Sequence, residues 1–144
     1  PKAINFNFGL GNKETKEIFK HAIHPSHGVK FGNGSFNHKL EHQDILRSQN
    51  CTFQEYEVDI KTYESSIDRL MDEKFPNRVI DLFVLDVEGF EIEVIEGMKN
   101  SKYLPKIMCV EFPHVGLENL KTVLEELGYD IDIINESNAY FIKK

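Results

Sequence analysis

Two nearly continuous apolar runs constrain this chain most: "VIDLFVL" at 79–85 and "KIMCVEF" at 106–112. A strand with one wet face alternates apolar and polar residues, whereas a strand buried on both faces reads as an unbroken apolar run. Each run is followed by a helical pattern. Phe90, Val94, Ile95 and Met98 form one stripe. Leu117, Leu120, Leu124 and Leu127 form the other, and Gly128 is placed as a C′ stop. "DIDII" and "AYFIK" then read as two strands around a turn at 135–138. The order strand, helix, strand, helix, strand, strand describes a βαβ wound sheet that ends in a hairpin.

The first half is less regular. "KAINFNF" alternates and is expected to be a half-buried strand, and "GLGNKE" a tight turn after it. "TKEIFKHAI" suits a second strand or a short helix. Residues 24–50, rich in Gly, His, Asn and Pro, are expected to be irregular or a hairpin. "FQEYEVDIK" alternates again, with Phe53, Tyr56, Val58 and Ile60 as inward candidates. "TYESSIDRLMDEK" has a helical face in Ile67, Leu70 and Met71, with Thr62 as N-cap.

In an open α/β sheet, ligands bind outside the carboxyl ends of the strands. Asp86 stands where the first run ends and Glu111 near the end of the second. If the two strands are parallel neighbours, both carboxylates face one crevice. Glu88 falls on the turn into the next helix, where the helix N-terminus stabilises negative charge. Glu91, Glu93 and Glu96 are expected on that helix's solvated face. His114 follows Glu111 closely enough to reach the same crevice as a substrate contact or base.

The net charge is −7, and the 17 Lys and Arg residues form no basic block. That argues against nucleic acid and against an anionic membrane surface as partners. No apolar run is long enough for a membrane span, and no signal peptide is visible. Cys51 and Cys109 lack metal-ligand spacing, and Cys109 reads as a core thiol, so a reducing, cytoplasmic setting is expected. His21, His24 and His27 recur every three residues, but Pro25 interrupts any helix that would align them. They, with His38 and His42, are expected to be loop histidines, and no metal site is expected.

"IDLFVLDVEGFEIEVIEGM" resembles the signature of FkbM-type methyltransferases, matching at Asp86, Glu88, Gly89, Glu91, Glu93, Ile95 and Gly97. "NFGLGNKE", "VDIKTYESSIDRL" and "PKIMCVEF" resemble flanking segments of that family, so the likeness spans roughly residues 3–112. It implies an α/β, Rossmann-like class I methyltransferase fold with S-adenosylmethionine as cofactor. It also implies O-methylation of a hydroxyl on a saccharide, glycolipid or polyketide-like metabolite. Carried over, Asp86 and Glu88 are the catalytic candidates, and Asp86 also lies near the cofactor. Ser35, Glu111 and His114 are the substrate-binding candidates.

The chain departs from the family in lacking a glycine-rich loop after a first strand and an acidic ribose-binding residue after a second. "GLG" at 9–11 has no third glycine and is expected to be structural. Residues 1–144 are therefore expected to be one domain, the C-terminal portion of a longer methyltransferase domain whose first strands are absent. Such a chain should bind the cofactor poorly and associate through exposed sheet edges. Two other readings stand beside this one: a non-catalytic half-domain that binds a partner, and an acidic hydrolase using Asp86, Glu111 and a divalent metal.

Overall fold

A computed structural model describes residues 3–37 and 39–144. The second half takes the element order its pattern predicts. β5 (Leu82–Leu85) and β6 (Ile107–Glu111) are parallel neighbours, registered from Leu82↔Ile107 to Leu85↔Val110. Between them runs α3 (Glu91–Glu96), and after them α4 (Leu117–Glu126). Val94, Ile95 and Met98 pack with Leu120 and Leu124 against Leu85, Met108, Val110, Ala139 and Phe141. Full burial of each such Leu or Ile contributes about 1.5–3 kcal/mol. Gly128 takes φ 82°, a left-handed conformation that ends the helix at little cost to a residue without Cβ. β7 (Tyr129–Ile134) and β8 (Asn138–Lys143) form the terminal hairpin, and β8 inserts beside β6 to give the order β5-β6-β8-β7.

The opposite face of this sheet is uncovered. Leu82 is 53% exposed and Val84 63%, with Ile107 and Ile142 also open. The expectation of burial on both faces fails because the helices packed on this sheet lie on one side of it.

The first half forms a separate four-stranded sheet, in the order β1-β4-β2-β3. The wound sheet read from the second half therefore comprises β5 to β8 alone. β2 (Thr15–Ile23) and β4 (Thr52–Lys61) pair antiparallel over their whole length, from Thr15↔Ile60 to Ile23↔Thr52. That pairing decides "TKEIFKHAI" for strand. β1 (Gly9–Leu10) runs parallel to the end of β4, and β3 (Gly34–Ser35) borders β2. The strand expected at 2–8 is not seen over residues 3–8, where Ile4 and Phe6 are half exposed. Its alternation has no partner strand to register against. Tyr56, expected to point inward, is exposed, while Ile60 is buried.

Within residues 24–50 lies a helix that periodicity did not announce, α1 (Leu40–Ser48). Leu46 is its one buried residue, and Leu40 and Ile45 are open, so no apolar stripe marks it. Thr62 caps the next helix as expected: its Oγ1 accepts the Ser65 N–H at 3.1 Å. That helix begins as a π turn over Glu64–Asp68 and continues as α2 (Arg69–Lys74). The buried Asp68 carboxylate pins it, accepting from Ser101 Oγ at 2.6 Å and Lys102 N–H at 3.0 Å.

The two sheets meet at the end of α3. A Cβ on Gly97 would lie 2.1 Å from the Gly11 carbonyl oxygen, so the chain just past β1 and the end of the helix touch backbone to backbone. Asn12 Nδ2 donates to Glu96 at 2.8 Å, and the Phe36 and Phe90 rings lie 5.2 Å apart. Gly9 and Leu10, expected in a tight turn, thus lie in β1, and Gly11 after them makes the packing contact.

Candidate functional site

The site is built on "DVEGF", residues 86–90, between β5 and α3. Glu88 has φ 54° and Gly89 φ 103°, so two successive residues take left-handed or open conformations. For glutamate this costs about 1–3 kcal/mol and persists only where surrounding bonds enforce it. Two buried side chains do so. Glu91 is fully buried, and its carboxylate accepts the Val87 N–H at 3.1 Å and the Gly89 N–H at 3.2 and 3.1 Å. Ser35, also fully buried, donates from Oγ to the Glu88 carbonyl at 2.6 Å and accepts the Asn37 N–H at 2.9 Å.

The first of these findings corrects an expectation. Glu91 was expected in solvent, but a reverse bend in the loop turns two N–H groups toward the helix start, and the carboxylate fills that space. Glu93 and Glu96 are half-buried rather than on a fully solvated face. Burial, and then the Glu96 and Glu91 charges, raise the Glu93 carboxyl above its ordinary range. The hydroxyl of Ser35, a substrate-binding candidate, is buried and holds the loop.

With its backbone held, the Glu88 carboxylate lies 2.9 Å from His114 Nε2. Glu111, the last residue of β6, places Oε2 4.0 Å from the same nitrogen. That oxygen is buried without a hydrogen-bond partner. Burial, followed by the Asp86 and Glu88 charges, pushes the Glu111 carboxyl up to about 7. Asp86 itself is exposed just past the end of β5. The parallel pairing of β5 and β6 therefore brings Asp86, Glu88, Glu111 and His114 to one mouth, with Ser35 bracing it from behind.

By sequence His42 stands as an isolated loop residue. It lies on α1, and its ring stacks on His114 with centroids 5.2 Å apart and planes 11° apart. Lys39, just before α1, donates from Nζ to the His114 carbonyl. An open groove lined by Lys39, Glu41, His42, Ile45, Pro113 and His114 adjoins the carboxylates. No local pattern marks these residues as partners, since α1 carries no stripe and lies far from His114 in the chain. His24 and His27 do lie close, with ring centroids 4.8 Å apart. His38 lies outside the described residues, as does residue 2 of the expected first strand.

The model of the methyltransferase FkbM domain matches residues 1–131, and the chain belongs to that family. Neither a curated protein nor a solved structure matches it. The family is one of methyltransferases, and its domain implies an α/β fold. Among the described residues, no helix is long and apolar enough to cross a membrane.

Proposed function

We propose that the protein is an S-adenosylmethionine-dependent O-methyltransferase acting on a hydroxyl of a saccharide, glycolipid or polyketide-like metabolite. The observation that carries this reading is the convergence of Asp86, Glu88, Glu111 and His114 outside the carboxyl ends of two adjacent parallel strands. Open α/β sheets bind their ligands there. The β5-β6-β8-β7 half, with its crossover helix and inserted antiparallel β8, is compatible with a Rossmann-like methyltransferase sheet.

The donor set suits the reactive end of the cofactor. A mouth with three carboxylates favours a cationic sulfonium, and Asp86 is the exposed one that would hold it. The "GLG" segment does not suit its nucleoside end. A Cβ on Gly9 or Gly11 would meet Ile60 at 2.7 Å in each case, so these glycines are closed against the protein. When bound, S-adenosylmethionine supplies an electrophilic methyl group. The protein's own part is to hold the acceptor hydroxyl and take its proton. Glu88, Glu111 and His114 position the hydroxyl, and Asp86 or Glu88 accepts the proton at a carboxylate oxygen. Catalysis of this kind comes chiefly from placement, with a modest contribution from the base.

Transfer of radiolabelled methyl to a panel of saccharide, glycolipid and polyketide acceptors tests the reading. Asp86→Asn should lower transfer far more than it lowers folding stability. Undiminished turnover in folded Asp86→Asn and Glu88→Gln variants would overturn the assignment. A second reading, a module that binds a partner protein, is favoured by the uncovered apolar residues of β5. A strand-pairing partner should then protect the β5 amides from hydrogen exchange.

A further inference from the structure

The groove beside the carboxylates holds a combination that methyl transfer does not require. His42, Glu88 and His114 each present a ligand atom, and these atoms all lie within 4.8 Å of one another. Among the described residues, this is the one such group of three. We propose that His42, Glu88 and His114 bind a single divalent first-row transition metal ion, such as zinc, cobalt or iron(II), at the mouth of the groove.

Three observations carry the assignment. The first is the donor set. Two imidazoles and one carboxylate suit the borderline transition metals, whereas magnesium and calcium prefer oxygen alone. The second is geometry. Metal–ligand bonds of about 2.0–2.2 Å place neighbouring donors roughly 3–3.5 Å apart. Glu88 and His114 stand at 2.9 Å and all three ligand atoms lie within 4.8 Å, so His42 completes the site by turning out of its stack with His114. The third is the buried Glu111 Oε2, which has no hydrogen-bond partner and lies 4.0 Å from His114 Nε2. A cation at the cluster gives that oxygen a partner, as a fourth ligand or through a bound water.

The scaffold around the ligands is firm. Ser35 and Glu91 hold the backbone of Glu88 and its loop, and Lys39 fixes the His114 carbonyl. Ligands tied down in this way lose little freedom on binding. His42 and His114 both line the groove, so the ion's open positions face it. If the methyltransferase reading holds, those positions would take the acceptor oxygen, and Asp86, the carboxylate outside the ligand set, would accept its proton. Metal binding itself does not rest on that reading.

Calorimetric titration of chelator-stripped protein with Zn²⁺, and visible absorption with Co²⁺, test the proposal without any activity assay. One equivalent should bind in the micromolar range or tighter, with the d–d bands of a nitrogen- and oxygen-ligated site. His42→Ala and His114→Ala should each weaken it beyond the roughly 10–100-fold typical of lost second-shell partners. A His24→Ala/His27→Ala double variant should leave this equivalent intact. His42 sits on a weakly buried helix, so His42→Gln supplies a folded variant should His114→Ala unfold. The melting temperature should rise with Zn²⁺ in the wild type and not in His42→Gln. Absence of binding below millimolar metal would overturn the proposal. So would binding unchanged in His42→Gln and His114→Ala, or removed only by the His24/His27 variant.

Discussion

Replacing Glu91 by glutamine changes one atom in shape and little in volume, yet the structure makes it costly. The carboxylate accepts from two backbone donors, Val87 and Gly89, in a fully buried position. A hydrogen bond to a charged group contributes about 1.5–3 kcal/mol, and a neutral one about 0.5–1.5 kcal/mol. Glutamine can keep one acceptor oxygen, so about 1 kcal/mol is lost at each donor. Its amide group adds buried N–H donors where the loop offers N–H groups of its own. The sum is about 2–3 kcal/mol, a large part of a typical stability of about 5–15 kcal/mol. Urea denaturation followed by circular dichroism should show the midpoint falling with little change in slope. Glu125→Gln, on the exposed side of α4, should stay within about 0.5 kcal/mol of wild type. A Glu91→Gln variant as stable as Glu125→Gln would refute the reasoning, because it would mean that the loop is not held by this carboxylate.

Gly97→Ala should destabilise by about 3 kcal/mol or separate the two sheets, because its Cβ would sit 2.1 Å from a backbone oxygen that cannot rotate away. A melting temperature within about 1 °C of wild type, at roughly 2–4 °C per kcal/mol, would contradict that packing. Glu93 gives a pH dependence with a definite sign. Burial raises its carboxyl in the folded state, so its contribution is fully present below the ordinary value of 4.5 and is lost as pH rises through the raised value. Glu93→Gln should therefore flatten the fall in stability above pH 4.5, and an unchanged pH profile would count against the burial argument. Sedimentation should show concentration-dependent association through β5, where Leu82 and Val84 are 53% and 63% exposed at a sheet edge. Val84→Lys should suppress it, and a wild-type chain that stays monomeric at high concentration would rule it out.

Local pattern was sufficient for the second half of the chain. The runs at 79–85 and 106–112, the stripes on α3 and α4, and Gly128 specify elements whose spacing leaves one simple way to bury them. Because β5 and β6 pair in parallel, the sequence positions of Asp86 and Glu111 already implied a shared mouth. Periodicity reports only which residues seek cover, however, and the tertiary structure decides which find it. Ile4, Phe6 and Tyr56 look inward by alternation and remain exposed, since no layer reaches them. Glu91 looks like a surface charge and is buried, because a backbone bend turns two N–H groups toward it. His42 carries no local signal, and only the docking of α1 beside the β6 end sets its ring against His114. The carboxyl-end site was thus legible from order along the chain, while its histidine wall came from contacts between residues that no short-range pattern connects.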